Sequence, residues 1–312
     1  MSSIKHWDSL QRLGKQQCFV ESDLRLMILS AGGSATLWVL VEGEADIYFY
    51  ERMFKNHGVK VIIAGKSNSL GVKYGGFHSV IETVTNLLLW GRTSLIIGVV
   101  DRDWRSFYSN VVRKLPANIF LTDHRDLEMT LLSVQQVRGL LKAEVVTNMN
   151  PAYIRDIGSG DWFSSVWEKC CHIARYMGSL RIVAAHFKMQ KLKFSDTLYW
   201  DKVSRSLKPD WESNLFNKAL EMNAPICKAR FYFYCWWTKV RYGLNNLSNY
   251  DICRGHDFLQ ILSTLLIDTG HFSEKWMTYF MAMEISVTEI RGLKMYGAIR
   301  NWMNSKGLSL LV

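Results

Sequence analysis

Between residues 36 and 142 the apolar positions alternate between two textures. Short runs rich in β-branched residues, Leu37–Val41 (LWVLV), Val59–Ala64 (VKVIIA), Ser94–Val100 (SLIIGVV) and Asn118–Leu121 (NIFL), predict strands. Asp46–Asn56 and His78–Leu89 instead predict helices, the second with apolar residues at Val80, Ile81, Val84, Leu87 and Leu88. Such strand–helix alternation, with apolar strands that carry little polar alternation, predicts an α/β domain whose parallel sheet is flanked by helices. After Leu141 the alternation stops. Trp162–Met177, Leu180–Lys191, Phe258–Leu266 and Lys275–Trp302 are long amphipathic stretches and predict a mainly α-helical domain. Asn148–Gly160 (NMNPAYIRDIGSG), with one Pro and two Gly, is the natural boundary. The expected organisation is a helical extension over 1–35, the sheet domain over 36–142, and a helical domain over 155–312. The last would contact substrate, a partner or a second copy.

The chain has 312 residues, enough for two domains with their own cores, and its 48% hydrophobic and 21% charged content is that of a soluble globular protein. A net charge of +10, with the larger excess in the second half, suits a polyanionic partner, nucleic acid or an anionic membrane surface. No apolar run reaches the ~18 residues of a membrane span, and Met1–Gln17 lacks the apolar stretch of a signal peptide. The six cysteines, at positions 18, 170, 171, 227, 235 and 253, form no CxxC pair, so reduced thiols and a cytoplasmic setting are expected.

The chemistry lies in where the acids fall. Glu42 follows the first strand and precedes Gly43, with Asp46 in the helix behind it; Asp101 and Asp103 follow the third strand; Asp126 and Glu128 follow the fourth. Ligands of an open parallel sheet bind outside the carboxyl ends of its strands, so one pocket could gather all three groups. Alternate residues of an extended segment point the same way, which would let Asp101 and Asp103 present two carboxylates together. Converging carboxylates repel unless a divalent cation neutralises them, and all-oxygen ligation points to Mg²⁺ or Mn²⁺ rather than zinc. Such ions activate water and stabilise the leaving oxygen of a phosphodiester. Each motif alone is common in turns and caps. Their order on consecutive strands is far more specific.

The segments VLVEGEADIYFYERMF, GVVDRDW and TDHRDLEMTLL together resemble the TOPRIM/OLD-like nuclease family that includes AriB, the effector subunit of PARIS anti-phage systems. GSLRIVAAHFK (178–188) and RGHDFLQILSTLL (254–266) look like that family's helical region, so the resemblance extends over most of the chain. It implies a TOPRIM-like sheet domain and Mg²⁺-dependent cleavage of nucleic acid, either RNA such as tRNA or DNA. It also implies an AriA-like ABC-type ATPase partner that holds the effector in check, and a homodimer as the active form. By position, Glu42, Asp101 and Asp103 match the catalytic acids, while Asp126 and Glu128 match a further acidic motif. Lys66, in AGKSN, resembles a Gly-Lys element that contacts phosphate. Glu42, Asp101, Asp103 and Glu128 are the expected ion ligands, with Asp46 and Asp126 supporting or alternative, and Glu42 could also serve as the base for water. A topoisomerase or primase would need a further module for which the chain has little room. A non-catalytic interaction or sensor subunit with the same fold is the alternative.

Other features carry two readings each. Gly65-Lys66-Ser67 ends like a P-loop, but position 60, where that pattern needs Gly, is Lys60. Lys228–Tyr242 interleaves basic and aromatic residues, as either a buried helix or strand with basic ends reaching outward or a base-stacking platform. Arg181, Lys188, Lys191 and Lys193 form either a solvated face or a phosphate-tracking groove that binds substrate. Asp257, ahead of an apolar helix, reads as its N-cap, and His256 as a packing or hydrogen-bonding residue rather than half of a dyad. His124, within the third acidic group, is less easily set aside.

Overall fold

The computed structural model describes residues 18–30, 37–54, 58–67, 73–91, 95–103, 115–148, 162–186, 192–201, 206–223, 227–266 and 272–309. The chain divides into two compact units: residues 1–137 with 279–312, and residues 138–278.

The first unit is built on a five-stranded sheet formed by β1 (Cys18–Phe19), β2 (Leu37–Val41), β3 (Val59–Ala64), β6 (Ile96–Val100) and β7 (Ile119–Leu121). The spatial order is β1-β3-β2-β6-β7, and every pairing is parallel, with Val39 opposite Val61 on one side and Ile97 on the other. A short antiparallel pair, β4 (Lys66–Ser67) and β5 (Lys73–Tyr74), follows β3. Parallel neighbours need long crossovers. Helix α1 (Glu21–Ser30) joins β1 to β2, α2 (Glu44–Met53) joins β2 to β3, and α3 (Phe77–Leu89) lies between β5 and β6.

All five residues of β2 and all five of β6 are buried, which explains their unbroken apolar runs. Trp38, Leu40, Ile62, Val84, Ile96 and Val100 belong to one core cluster under α3. The strands and helices of this unit's sheet region thus stand where the apolar pattern put them, to within three residues at each end: α2 spans Glu44–Met53 rather than Asp46–Asn56, and β6 begins at Ile96 rather than Ser94. The strand Cys18–Phe19 was not expected. Two residues at a sheet edge are too short to leave a periodicity.

The same unit recruits chain from the far end. Helices α11 (Glu274–Glu284), α12 (Val287–Gly292) and α13 (Lys294–Ser305) replace the single stretch expected over 275–302, and all but residues 274–278 of them belong to this unit. Tyr279 donates to a Glu44 carboxylate oxygen at 2.9 Å, Arg52 donates to the Ile285 carbonyl at 2.7 Å, and Trp302 stands edge-on to Phe120. Residues 279–312 therefore group with the sheet rather than with a helical domain over 155–312, because they bury against α2 and β7.

The second unit centres on α6 (Trp162–His186), which packs against α7 (Trp211–Asn223), α8 (Cys227–Gly243), α9 (Asn249–Ile252) and α10 (Gly255–Leu265). α6 runs unbroken through Gly178. Glycine costs a helix about 1 kcal/mol relative to alanine, but a Cβ there would stand 2.4 Å from the Ile252 carbonyl oxygen, so close packing on α9 requires it. Tyr176 meets Trp211 and Trp237 at ring separations of 5.3 and 5.5 Å. Cys18, Cys170, Cys171, Cys235 and Cys253 are free thiols. Among the described residues no helix is long and apolar enough to cross a membrane. The boundary expected at 148–160 lies, apart from Asn148 at the end of α5 (Gln135–Asn148), outside the described residues.

Candidate functional site

Strands β2, β6 and β7 run in parallel, so their carboxyl ends share one edge; acids follow β2 and β6 at once and β7 within a short loop. Glu42 leaves β2 and turns through Gly43 into α2. Its Oε1 accepts the Asp101 N–H at 2.8 Å, so the side chain after β2 is bonded to the backbone after β6. Asp101 Oδ1 in turn accepts the Leu127 N–H at 3.1 Å, reaching the first residue of α4 (Leu127–Ser133) beyond β7. Asp46 Oδ2 accepts the Gly43 N–H at 2.8 Å, closing the first turn of α2 back on the strand end. Asp126 is the N-cap of α4, its Oδ1 accepting the Met129 N–H at 2.9 Å. Glu128, in the first turn of that helix, is buried. A glycine fixes the approach from the other side: a Cβ on Gly75 would lie 2.0 Å from the Glu42 carbonyl oxygen and 2.7 Å from Ile63 Cγ2.

The loop between β7 and α4 is threaded by two threonines. Thr122 Oγ1 accepts from Arg102 N at 3.0 Å and donates to the His124 carbonyl at 2.8 Å. Thr130 Oγ1 accepts from His124 N at 3.1 Å and donates to the Asp126 carbonyl at 2.9 Å. Thr122, Arg125, Asp126, Glu128 and Thr130 are all buried. Sequence reasoning missed both threonines. Their signal, a hydroxyl residue at each end of an otherwise charged loop, is too common to single out.

Charge is crowded here. The Asp46 carboxyl is pushed up to about 8, first by burial and then by the neighbouring Glu42 and Glu128. Asp101 is pushed well above the usual carboxylate range, again by burial first and then by Glu42, Asp126, Asp46 and Glu128. Burial raises the Tyr50 hydroxyl, and Asp46, Asp101, Asp123 and Glu42 add to it. Burial, with Glu42 and Glu128 as neighbours common to both, thus raises Asp46 and Asp101 together.

Asp103 differs from expectation. The chain does not continue extended beyond Asp101 but turns, with Asp103 in the left-handed region at φ 47° and its N–H bonded to the Arg125 carbonyl at 2.7 Å. The alternation that would have aligned Asp101 with Asp103 therefore does not apply, because it holds only for extended backbone. Left-handed geometry is uncommon outside glycine, with Asp among the more tolerated exceptions.

The remaining candidates separate. The Lys66 backbone lies in β4 and its side chain is outside the described part, as are Lys188 and Lys191 entirely. Lys193 is exposed. Arg181 is not on a phosphate-facing groove: it is 8% exposed, its Nε and Nη2 donate to Asp257 at 2.9 and 2.7 Å, and another guanidinium N–H bonds the Leu192 carbonyl. A guanidinium buried in the core needs such a counter-ion. For the same reason Asp257 is not the N-cap of α10; Arg254 holds that position, and His256 pairs with Glu274. Lys228–Tyr242 lies within α8, with Phe233 and Trp237 one turn apart in the core and Tyr232 and Tyr234 half exposed.

Oxygen donors crowded at the carboxyl edge of a parallel sheet suit a hard divalent cation, and Glu42, Asp46, Asp101 and Glu128 are the side chains that would hold it. Among the described residues no three acid, imidazole or thiol groups already close on one point tightly enough to enclose an ion; backbone hydrogen bonds hold Glu42, Asp46, Asp101 and Asp126. No family model, no curated protein and no solved structure matches the chain.

Proposed function

We propose that the chain is a Mg²⁺- or Mn²⁺-dependent phosphodiesterase of the TOPRIM type that acts on nucleic acid. One observation carries this reading: Glu42, Asp46, Asp101, Asp126 and Glu128 stand at one carboxyl edge of the parallel sheet, with Glu42 bonded to the Asp101 N–H and Asp101 to the Leu127 N–H, and there burial, with Glu42 and Glu128 beside it, raises the Asp46 carboxyl to about 8. Such a cluster must take up protons or a cation near neutrality. A bound ion would acidify water and offset the charge of the leaving oxygen. Glu42, bonded to the Asp101 N–H, is oriented to hold the ion and to accept a proton from water. The net charge of +10 favours a polyanionic substrate. On the family resemblance we extend the proposal to an effector role in anti-phage defence, with RNA such as tRNA or DNA as the target. An AriA-like ABC-type ATPase would restrain the chain in the cytoplasm, and release would give an active homodimer. The test is purified chain with Mg²⁺ against total RNA and plasmid DNA, beside Glu42→Gln and an EDTA control. Products from wild type alone support the reading, whereas equal products from both chains would refute it.

The bonding of four acids into turns and caps also favours a second reading, a non-catalytic subunit whose acids are structural. Titration with Mn²⁺ separates the two, since a scaffold has no reason to bind the ion through Glu42.

A further inference from the structure

Asp123 stands in the loop after β7, three residues before Asp126, and both of its oxygens are spent on a helix far along the chain. Oδ2 accepts the Lys294 N–H at 2.7 Å and Oδ1 accepts the Met295 N–H at 2.6 Å, the first two donors of α13. The opening N–H groups of a helix have no partner within it, and a carboxylate there is favoured by the helix dipole as well. Leu293, the N-cap position, offers no side-chain acceptor, so Asp123 supplies the cap from 171 residues away. The same first turn touches the other side of the acidic edge. Tyr50, one helical turn beyond Asp46 on α2, donates its hydroxyl to Met295 Sδ at 3.1 Å. Helix α13 is therefore bonded both to the loop that carries Asp126 and Glu128 and to the helix that carries Asp46.

We propose that Asp123 is a positioning residue for the acidic site, holding the loop that bears Asp126 and Glu128 by anchoring it to the first turn of α13. Its charge is committed to a helix terminus, so it sets ligand geometry without itself adding to the ion's ligands. This inference rests on the metal-site reading. Groups that orient ligands from behind commonly change metal affinity ten- to a hundredfold when removed, and the loop accepts hydrogen bonds from Asp103 N and Arg102 N and leads into Leu127, whose N–H donates to the Asp101 carboxylate.

The test is calorimetric titration of the full-length chain with Mn²⁺ alone. Asp123→Ala should weaken binding roughly tenfold or more. Asp123→Asn, which keeps one acceptor, should fall between it and wild type. Lys294→Pro approaches the same bond from the other partner. Proline at the first helical position preserves the helix and deletes one N–H that Asp123 accepts, and Leu293, at φ −71° and ψ 138°, already has the extended backbone that a following proline requires. Lys294→Pro should weaken Mn²⁺ binding while Lys294→Ala leaves it unchanged, and this pair decides the matter should Asp123→Ala fail to fold. Lower melting temperatures with wild-type Mn²⁺ affinity in Asp123→Ala and Lys294→Pro would mean that α13 only supports the fold, and would overturn the proposal. A wild-type chain whose Mn²⁺ binding is absent or insensitive to Glu42→Gln would instead overturn the metal-site reading, and this inference with it.

Discussion

Glu42 and Asp101, 59 residues apart in the chain, are joined by a 2.8 Å hydrogen bond from the backbone of one to the carboxylate of the other. Glu42→Gln preserves an oxygen acceptor for that N–H but removes the charge. The variant should fold as wild type and lose at least ~100-fold in cleavage, as expected when a group acts only with the reacting centre. Gel assays of initial rate beside circular dichroism check both halves. Asp101→Asn should be impaired likewise, with the Glu42→Gln, Asp101→Asn double variant no worse than the poorer single, because residues acting as one unit are not additive.

Gly75 tests the site without touching an acid. Gly75→Ala places a methyl 2.0 Å from the Glu42 carbonyl oxygen, so the backbone after β2 must shift. Overpacking of this kind costs about 1–3 kcal/mol. We expect a denaturation midpoint lowered accordingly and weaker Mn²⁺ binding; unchanged values for both would show that the two segments move apart freely.

The acid cluster also sets a pH dependence. Burial, then Glu42 and Glu128, push the Asp46 carboxyl up from the ordinary 3.8 to about 8 in the folded chain, so the folded state holds its proton more tightly. Its stabilising contribution is complete below about pH 4 and is lost as pH rises towards 8. In EDTA, the melting temperature should fall from pH 5 to pH 8, Asp46→Asn should flatten that fall, and Mg²⁺ should restore stability most at the higher pH. A wild-type curve parallel to that of Asp46→Asn would remove Asp46 from the cluster.

Arg181 and Asp257 form a buried pair in the second unit. Removing either partner alone strands the other charge and should cost roughly 3–5 kcal/mol, whereas Arg181→Met with Asp257→Leu should recover most of that. Urea denaturation of the single and double variants measures it. Arg181→Met should leave the salt dependence of nucleic-acid binding unaltered, since the guanidinium faces the core; a flatter slope would return it to the substrate.

How much of this was legible in the sequence depended on the range of the forces involved. Strands β2, β3 and β6 and helix α3 announce themselves through local periodicity, and the placing of Glu42, Asp101, Asp126 and Glu128 at strand ends follows from chain order alone. Asp103 was misread because its left-handed turn is imposed by a bond to the Arg125 carbonyl, a partner on another segment. Arg181 was misread because a cationic residue near lysines looks solvated until its counter-ion, 76 residues on, is seen. The roles of Asp123 and Tyr50 depend on α13, and no pattern within their own segments points to it.

The route of the chain through its two units has a consequence in time. Residues 138–278 must all be made before the helix that Asp123 caps exists. At translation speeds of about 5–20 residues per second, the 171 residues from Asp123 to Lys294 take on the order of ten to thirty seconds. Throughout that interval a nascent chain displays β2, β6 and β7 with their acids but has no α13 to brace them. The order of segments along the polypeptide thus works as a clock, in which the acidic edge is laid down early and braced late.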